Sequence, residues 1–325
     1  MGRALNAQGK RWSAADIPSL AGQRALVTGA NSGIGFHAAL ELARHGAHVV
    51  LGCRDGSKGE AAAQRIRRQI PGVSLEVLQL DLASLRSVRE AAETERAQGK
   101  GLDLLINNAG VMAPKKRKPT EDGFELQFGT NVLGHFALTA LLMPALELAA
   151  GFQVERPRVV TIASIAHKRG RLDFADLQSE QSYKPMVAYA QTKLANVMFA
   201  LEFERRLQAA GEPASRVMSV AAHPGVAHTN LFQVGDYSPI ERRLRGWIGV
   251  LIGTFLNTEQ EGTLPTLYAA TAAEANPGGY YGPQGWLEMR GGDVGEAVVA
   301  PQARDTAAAQ RLWAECQRLT GVKLL

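Results

Sequence analysis

An apolar segment that leads directly into a glycine-rich turn limits the possible folds of this chain more than any other feature. Residues Arg24–Thr28 have the composition of a short buried strand, and the turn reads Gly29-Ala30-Asn31-Ser32-Gly33-Ile34-Gly35. A helix is predicted next, over about residues 36–46. Strand, glycine turn and helix in this order present backbone N–H groups and a helix dipole to a pyrophosphate, which glycines let approach closely. The spacing is G-x-x-x-G-x-G rather than the general G-x-G-x-x-G, so a simple tight turn is the alternative interpretation.

Strands and helices continue to alternate along the chain. Further strands are predicted at His48–Cys53, Ser74–Leu80, Leu102–Ile106, Arg158–Ala163, Val217–Ala221 and residues 278–283, with helices at about 58–70, 85–96, 189–208, 262–271 and 302–319. This alternation is typical of a parallel sheet covered on both faces. We therefore predict one α/β domain over residues 1–325, a doubly wound Rossmann fold of about seven parallel strands with helices on both faces. Residues 1–20 would form an N-terminal extension, and 302–325 would carry a C-terminal helix.

The composition is that of an ordinary globular protein, with 46% hydrophobic and 21% charged residues. The net charge of +5 suits an anionic small molecule or surface, but no basic tract with interleaved aromatics indicates nucleic acid. Two distant cysteines, Cys53 and Cys316, make neither a disulfide framework nor a metal site. His223 and His228 lack a third ligand nearby, so no metal is predicted. Since neither a signal peptide nor an apolar run of membrane-spanning length is seen, we expect a cytoplasmic protein.

The residues that follow the predicted strands indicate which dinucleotide would bind. After the second strand, Arg54 suits the 2′-phosphate of NADP(H), because an acidic residue there would instead hold the ribose hydroxyls of NAD(H). Asp55 is the rival, and with a shift of one or two residues it would favour NAD(H). Asp81 could accept from the adenine amino group with Leu82 beside the ring, although Asp81 could also cap the next helix. After the fourth strand, Asn107-Asn108-Ala109-Gly110 would line the same crevice.

A helix in the second half carries a tyrosine and a lysine four residues apart. Tyr189 and Lys193 share one helix face, so both can point into a cleft. A phenol with a pKa near 10 is a poor acid–base catalyst at neutral pH, and a nearby ammonium would lower that pKa. A Tyr–Lys pair at this spacing is also common on ordinary helix surfaces, so the pair indicates a catalytic site only together with the other motifs.

Taken together, three ordered motifs resemble the short-chain dehydrogenase/reductase family. They are Thr28-Gly29-x-x-x-Gly33-x-Gly35, Asn107-Asn108-Ala109-Gly110 and Tyr189-x-x-x-Lys193. Within that family, Cys53-Arg54-Asp55 followed by Gly59-Glu60 is similar to the NADP(H)-linked group of retinol dehydrogenases and related carbonyl reductases. The resemblance extends over about residues 20–281.

The resemblance implies a role for each of four residues. Tyr189 would be the general acid in reduction or the base in oxidation, and Lys193 would lower its pKa and bind the nicotinamide ribose. Ser164 would hydrogen-bond the substrate oxygen, and Asn131 would hold a water that relays protons to Lys193. The family often has Ser-Ser where this chain has Ala163-Ser164, and the second serine is the one that matches. Cap or buried-amide roles are the alternatives for Ser164 and Asn131.

The resemblance also places three residues beside the nicotinamide and suggests a homo-oligomer. Pro224 and Gly225 would turn the chain under the nicotinamide, and Thr229 would contact its carboxamide.

Residues 230–257 are predicted to form a substrate lid over a lipophilic pocket. Contact with a membrane surface is the alternative, because Arg242 and Arg243 precede an apolar run.

The expected function is NADP(H)-dependent interconversion of a lipophilic alcohol and its ketone or aldehyde. A C=C reductase of the same fold is one alternative. A non-catalytic dinucleotide-binding sensor or scaffold is the other, although a sensor would not need both the tyrosine and its lysine.

Overall fold

The fold is built on one eight-stranded sheet. The computed structural model describes residues 3–5, 9–152, 155–226 and 257–325. The strands are β1 (Arg24–Thr28), β2 (His48–Cys53), β3 (Leu75–Gln79), β4 (Leu104–Asn107), β5 (Arg158–Ile162), β6 (Met218–Ala222), β7 (Tyr280–Pro283) and β8 (Val294–Glu296). Their order across the sheet is β3-β2-β1-β4-β5-β6-β7-β8. Strands β1 to β7 pair in parallel, as predicted, and the sequence analysis missed β8, which adds an antiparallel edge.

Helices cover both faces of this sheet, as predicted. The helices are α1 (Gly33–Arg44), α2 (Gly56–Gln69), α3 (Leu85–Ala97), α4 (Leu126–Phe128), α5 (Gly134–Phe152), α6 (Pro185–Ala210), α7 (Glu259–Thr271) and α8 (Thr306–Thr320). Side chains of α1, α2 and α7 belong to one apolar core, and those of α3, α5, α6 and α8 belong to the other. The residues before β1 join the first core, where the Trp12 ring meets the Tyr268 ring edge-on at 5.2 Å.

The strand order reverses next to β1, and this position fixes where a ligand can sit. Strand β1 pairs with β2 on one side and with β4 on the other, so the connections after β1 and β4 leave the sheet in opposite directions. In open parallel sheets such a reversal leaves a crevice at the carboxyl ends of the strands. The glycine turn after β1 therefore lies at the edge of this crevice.

A π-helical segment, Gly129–Leu133, joins α4 to α5 and carries Asn131. The continuous helical stretch Leu126–Gly151 is long and apolar enough to span a membrane, which differs from the expectation that no such run is present. However, 78% of its most apolar part is buried inside the protein, as is usual for a core helix. Its apolar surface is thus used by packing against the sheet and the neighbouring helices.

Candidate active site

Most of the predicted site residues line one cavity of about 880 Å³ at the carboxyl ends of the strands. The members of the predicted set that line it are Gly29, Asn31, Ser32, Gly33, Ile34, Gly35, Asn108, Ala109, Gly110, Ser164, Tyr189, Lys193, Pro224 and Gly225. They come from five separate stretches of sequence, and the parallel sheet brings these stretches together. One end of the cavity is the glycine turn and the other contains Ser164 and Tyr189.

The glycine turn leaves room for a ligand against the start of α1. Gly29 and Gly33 have φ of +67° and +58°, which a residue with a Cβ rarely adopts. A Cβ on Gly35 would lie 2.5 Å from both the Gly29 carbonyl oxygen and the Asn108 side-chain nitrogen. Ser32 precedes the helix without a side-chain cap, so the N–H groups of the first turn can bind an anion. This cradle fits the pyrophosphate of a dinucleotide.

Thr28 fastens the glycine turn to the loop after β4. Its hydroxyl oxygen accepts hydrogen bonds from the backbone N–H groups of Asn108 and Ala109, each at 2.9 Å. The Asn108 side chain in turn donates to the Thr28 carbonyl oxygen at 2.8 Å. Buried His135 contacts the Thr28 hydroxyl at 3.0 Å, and burial lowers its pKa to about 4. A neutral His135 therefore supports Thr28 without adding charge below the cavity.

Tyr189, Ser164 and Lys193 meet at the other end of the cavity. The Ser164 hydroxyl accepts from Ala166 N–H at 3.2 Å and lies near enough to the Tyr189 phenol to affect its pKa. The Lys193 ammonium donates to the Ile162 carbonyl oxygen at 2.8 Å. Lys193 Nζ is 5.8 Å from the centre of the Tyr189 ring. Within the described residues, Ile162 uses one of the three N–H groups of the ammonium, and the other two could bind ribose hydroxyls.

The protonation of this group differs from the sequence-based expectation. Burial raises the pKa of Tyr189 to about 12, although the neighbouring Ser164 side chain opposes the shift. Burial also lowers the pKa of Lys193 to about 8. The lysine was expected to lower the tyrosine pKa, but in the protein alone the loss of solvent around both groups outweighs their interaction. Tyr189 is thus a phenol at neutral pH, and Lys193 is mostly an ammonium.

Asn131 lies one layer behind the cavity and is completely buried. Its side-chain oxygen accepts from Val111 N–H at 2.8 Å, and its nitrogen donates to the Val111 carbonyl at 3.0 Å and to Thr192 at 3.1 Å. The amide therefore ties the loop after β4 to the helix that carries Tyr189. The predicted role of Asn131 in a proton relay stays a prediction.

Comparison with known proteins agrees with this arrangement. Residues 23–236 match the family model described as short chain dehydrogenase. The chain belongs to the short-chain dehydrogenase family. Polyprenol dehydrogenase of Mus musculus is 43% identical over 307 residues, 94% of this chain and 86% of that protein. Human retinol dehydrogenase 13 is 41% identical over 318 residues, 96% of this chain and 87% of that protein.

A solved structure has the same fold over nearly the whole chain. It is that of an uncharacterised protein from Mycobacterium paratuberculosis, with a TM-score of 0.78 and 39% identity, and the match covers 97% of this chain and 100% of that one. These similarities confirm the predicted resemblance to the retinol dehydrogenase-like group. This short-chain dehydrogenase is therefore an oxidoreductase of alcohols and carbonyls that uses a nicotinamide dinucleotide.

Three of the residues predicted for cofactor binding do not line this cavity. Arg54 is exposed and lies just after β2, whereas Asp81 and Leu82 follow β3. Asp81 accepts a hydrogen bond from Ala83 N–H at 2.9 Å, which is a local turn contact. Thr229, like residues 230–256 of the predicted lid, lies outside the described residues.

Several residues that line this dehydrogenase's cavity were not predicted from the sequence. The apolar ones include Met112, Met186, Val187, Val226, Leu287 and Met289. Met186 could have been found, because it lies three residues before Tyr189 and hence on the same face of α6. Leu287 and Met289 carry no local motif, and only the tertiary fold brings them to the cavity.

Proposed function

We propose that this protein is an NADP(H)-dependent oxidoreductase that interconverts a lipophilic alcohol and its ketone or aldehyde, with Tyr189 as the general acid and base. One observation carries the proposal. A protonated phenol and a serine line the same cavity as a glycine turn that can hold a pyrophosphate. A buried tyrosine or a tight glycine turn alone would fit many proteins without catalysis. Their combination in one cavity favours proton transfer beside a bound dinucleotide.

The dinucleotide supplies or accepts the hydride when bound, and the residues of this chain handle the proton and the oxygen. In reduction, the Ser164 and Tyr189 hydroxyls would both donate to the substrate oxygen and stabilise the charge that develops there. The Tyr189 phenol would then pass its proton to that oxygen. The raised pKa of about 12 suits this direction, since the phenol is protonated at any physiological pH. In oxidation Tyr189 would have to be the phenolate, which would accept the proton of the substrate hydroxyl.

The preference for NADP(H) rests on the first residues after β2. Asp55 is the N-cap of α2, and its Oδ1 accepts from Ser57 N–H at 3.0 Å, the Ser57 hydroxyl at 2.6 Å and Lys58 N–H at 3.2 Å. A carboxylate used in this way is poorly placed to hold ribose hydroxyls. Exposed Arg54 makes no hydrogen bond or ion pair within the described part of the chain, so its guanidinium is available to a 2′-phosphate.

The preference for a lipophilic substrate rests on the walls of the cavity near Tyr189. Met112, Met186, Val187, Leu287 and Met289 all contribute to its lining. Burying apolar substrate surface against these side chains would stabilise the complex by roughly 25 cal/mol per Å². The polar side chains of the lining also include Lys168, Arg169 and Lys193. The reacting oxygen would bind at Ser164 and Tyr189.

The test is turnover of a panel of lipophilic ketones and aldehydes with NADPH by the wild type and by Tyr189→Phe. We expect Tyr189→Phe to lower kcat by about 10²–10⁴-fold, since it removes the proton donor, while NADPH binding is retained. Tyr183→Phe is the matched control, because the Tyr183 hydroxyl donates to the Pro114 carbonyl at 3.0 Å and does not line the cavity. Full activity of Tyr189→Phe would contradict the proposed mechanism. NADPH binding without turnover of any carbonyl would favour a sensor.

A further inference from the structure

Apolar side chains gather at the opening of the cavity. Met186, Val187 and Leu287 line the cavity and are nevertheless 55%, 62% and 66% exposed, so they stand at its mouth. Trp286, beside Leu287, is 76% exposed. Few large apolar side chains elsewhere in the described ranges are exposed, and clustered exposure of this kind marks ligand or partner sites more often than isolated exposure does.

The backbone at Leu287 and Glu288 is in an unfavourable conformation. Their φ angles are +51° and +58°, so two consecutive residues with a Cβ are left-handed. This conformation is unfavourable for a residue with a Cβ and persists only where surrounding contacts impose it. Residues of this kind collect at ligand clamps and active sites. Contacts around the turn Trp286–Met289 should therefore explain why it is held in this shape.

Glu288 makes those contacts from inside the protein. Its Oε2 accepts from Lys168 Nζ at 2.7 Å, and its Oε1 accepts from Val298 N–H at 2.8 Å. Oε2 also lies 3.6 Å from Nε2 of fully buried His223. Burial alone would raise the pKa of Glu288, but its contacts with His223 and Lys168 lower that pKa to about 2. The carboxylate is hence ionised at neutral pH, and the pair with Lys168 persists.

The turn is also fastened to the loop that follows β6. The Met289 carbonyl accepts from Val226 N–H at 2.8 Å, and a Cβ on Gly225 would come within 2.6 Å of the same carbonyl oxygen. Lys168 belongs to the short helical segment Ile165–Arg169, which directly follows Ser164. The contacts of Glu288 and Met289 therefore connect the turn with the two loops that border the reacting end of the cavity.

We infer that residues 287–289 of this turn form a specificity-determining wall of the substrate site, in which Leu287 and Met289 contact the apolar tail of the substrate and Glu288 positions them through Lys168. This inference rests on the proposed function and names its substrate class. The fitting substrate is a carbonyl compound whose oxygen meets Tyr189 and whose flexible apolar tail is long enough to reach the mouth. Shorter substrates would react without touching Leu287.

The experiment is a series of straight-chain aldehydes of increasing length, assayed with NADPH. In the wild type, KM should fall with length once the tail reaches the mouth, by up to about fourfold for each methylene that becomes buried. Leu287→Asn should remove this fall, so that the KM of the long members approaches that of the shortest member. Asparagine is chosen because it tolerates the left-handed backbone.

Two further variants separate packing at Leu287 from a general effect on the turn. Trp286→Asn changes an exposed neighbour that does not line the cavity, so the wild-type dependence on length should be kept. Glu288→Gln weakens the pair with Lys168 and should raise KM for the long aldehydes only, with kcat unchanged. A positioning role predicts this split between KM and kcat, whereas general damage to the fold would lower kcat for every member.

Two other outcomes are distinguishable. If the wild type is active and Leu287→Asn keeps the wild-type dependence on chain length, the turn is not part of the substrate site, and the proposed function is unaffected. If the wild type reduces none of the aldehydes and none of the ketones in the panel, the proposed function fails and this inference fails with it.

Discussion

At the scale of single residues, the choice of dinucleotide depends on two neighbours after β2. The sequence left Arg54 and Asp55 as rivals, and the capping bonds of Asp55 to Ser57 and Lys58 favour Arg54. We predict that the wild type binds NADPH at least about ten times more tightly than NADH and that Arg54→Ala removes this difference. A tenfold ratio corresponds to about 1.4 kcal/mol. Binding titrations of both dinucleotides against both proteins provide the measurement.

A charge-matched control separates a specific contact from the general field of a basic protein. Arg68→Ala removes an exposed cation near the end of α2, a helix that begins two residues after Arg54. It should leave the NADPH-to-NADH ratio unchanged, although added salt would weaken NADPH binding to both proteins. Equal or tighter binding of NADH by the wild type would contradict the assignment of Arg54 as the ligand of the 2′-phosphate. It would favour Asp55 as the ligand of the ribose.

At the scale of elements, the start of α1 depends on the absence of a side chain at one position. We predict that Gly35→Ala lowers dinucleotide affinity by at least about tenfold, because the added methyl would lie 2.5 Å from the Gly29 carbonyl and displace the turn. Gly56→Ala is the control, since Gly56 opens α2 and a Cβ there meets nothing within 4 Å. The control should bind normally and should be stabilised slightly. Normal binding by Gly35→Ala would show that the turn can move aside without loss.

The same elements show which features the sequence could specify. Strands β1 and β2 were predicted with their observed ends, because short apolar runs between glycine or polar residues have clear limits. The π-helical segment around Asn131 was not predicted, and the partners of the Asn131 side chain, Val111 and Thr192, are distant in sequence. The turn at Leu287 was not predicted either, because its contacts, such as that of Glu288 with Lys168, join residues that are distant in sequence. Local pattern located the glycine turn and Tyr189, whereas residues that reach the cavity from the C-terminal part required the fold.

At the scale of the whole molecule, the C-terminal helix α8 closes the core behind the catalytic helix. Trp313 is 2% exposed and stacks on Phe199 at 5.7 Å, with Phe136 edge-on at 5.3 Å and the Arg206 guanidinium 4.5 Å from its ring. Phe199 belongs to α6, the helix that carries Tyr189 and Lys193. None of the residues in this aromatic cluster lines the cavity. The cluster therefore contributes to stability and holds α6 in place without contacting a ligand.

We predict that Trp313→Ala lowers the free energy of unfolding by about 3–5 kcal/mol, through lost burial and the cavity that remains. Trp313→Phe should cost less, because it keeps an aromatic ring and removes an indole N–H that has no hydrogen-bond partner among the described residues. Trp286→Ala, at an exposed site, should change stability by less than about 0.5 kcal/mol. Urea unfolding of the four proteins gives the values, and KM for a short aldehyde should stay the same in each while it is folded. If the Trp313→Ala protein were as stable as the wild type, the packing of α8 would contribute little to the free energy of unfolding. The core behind α6 would then be complete without it.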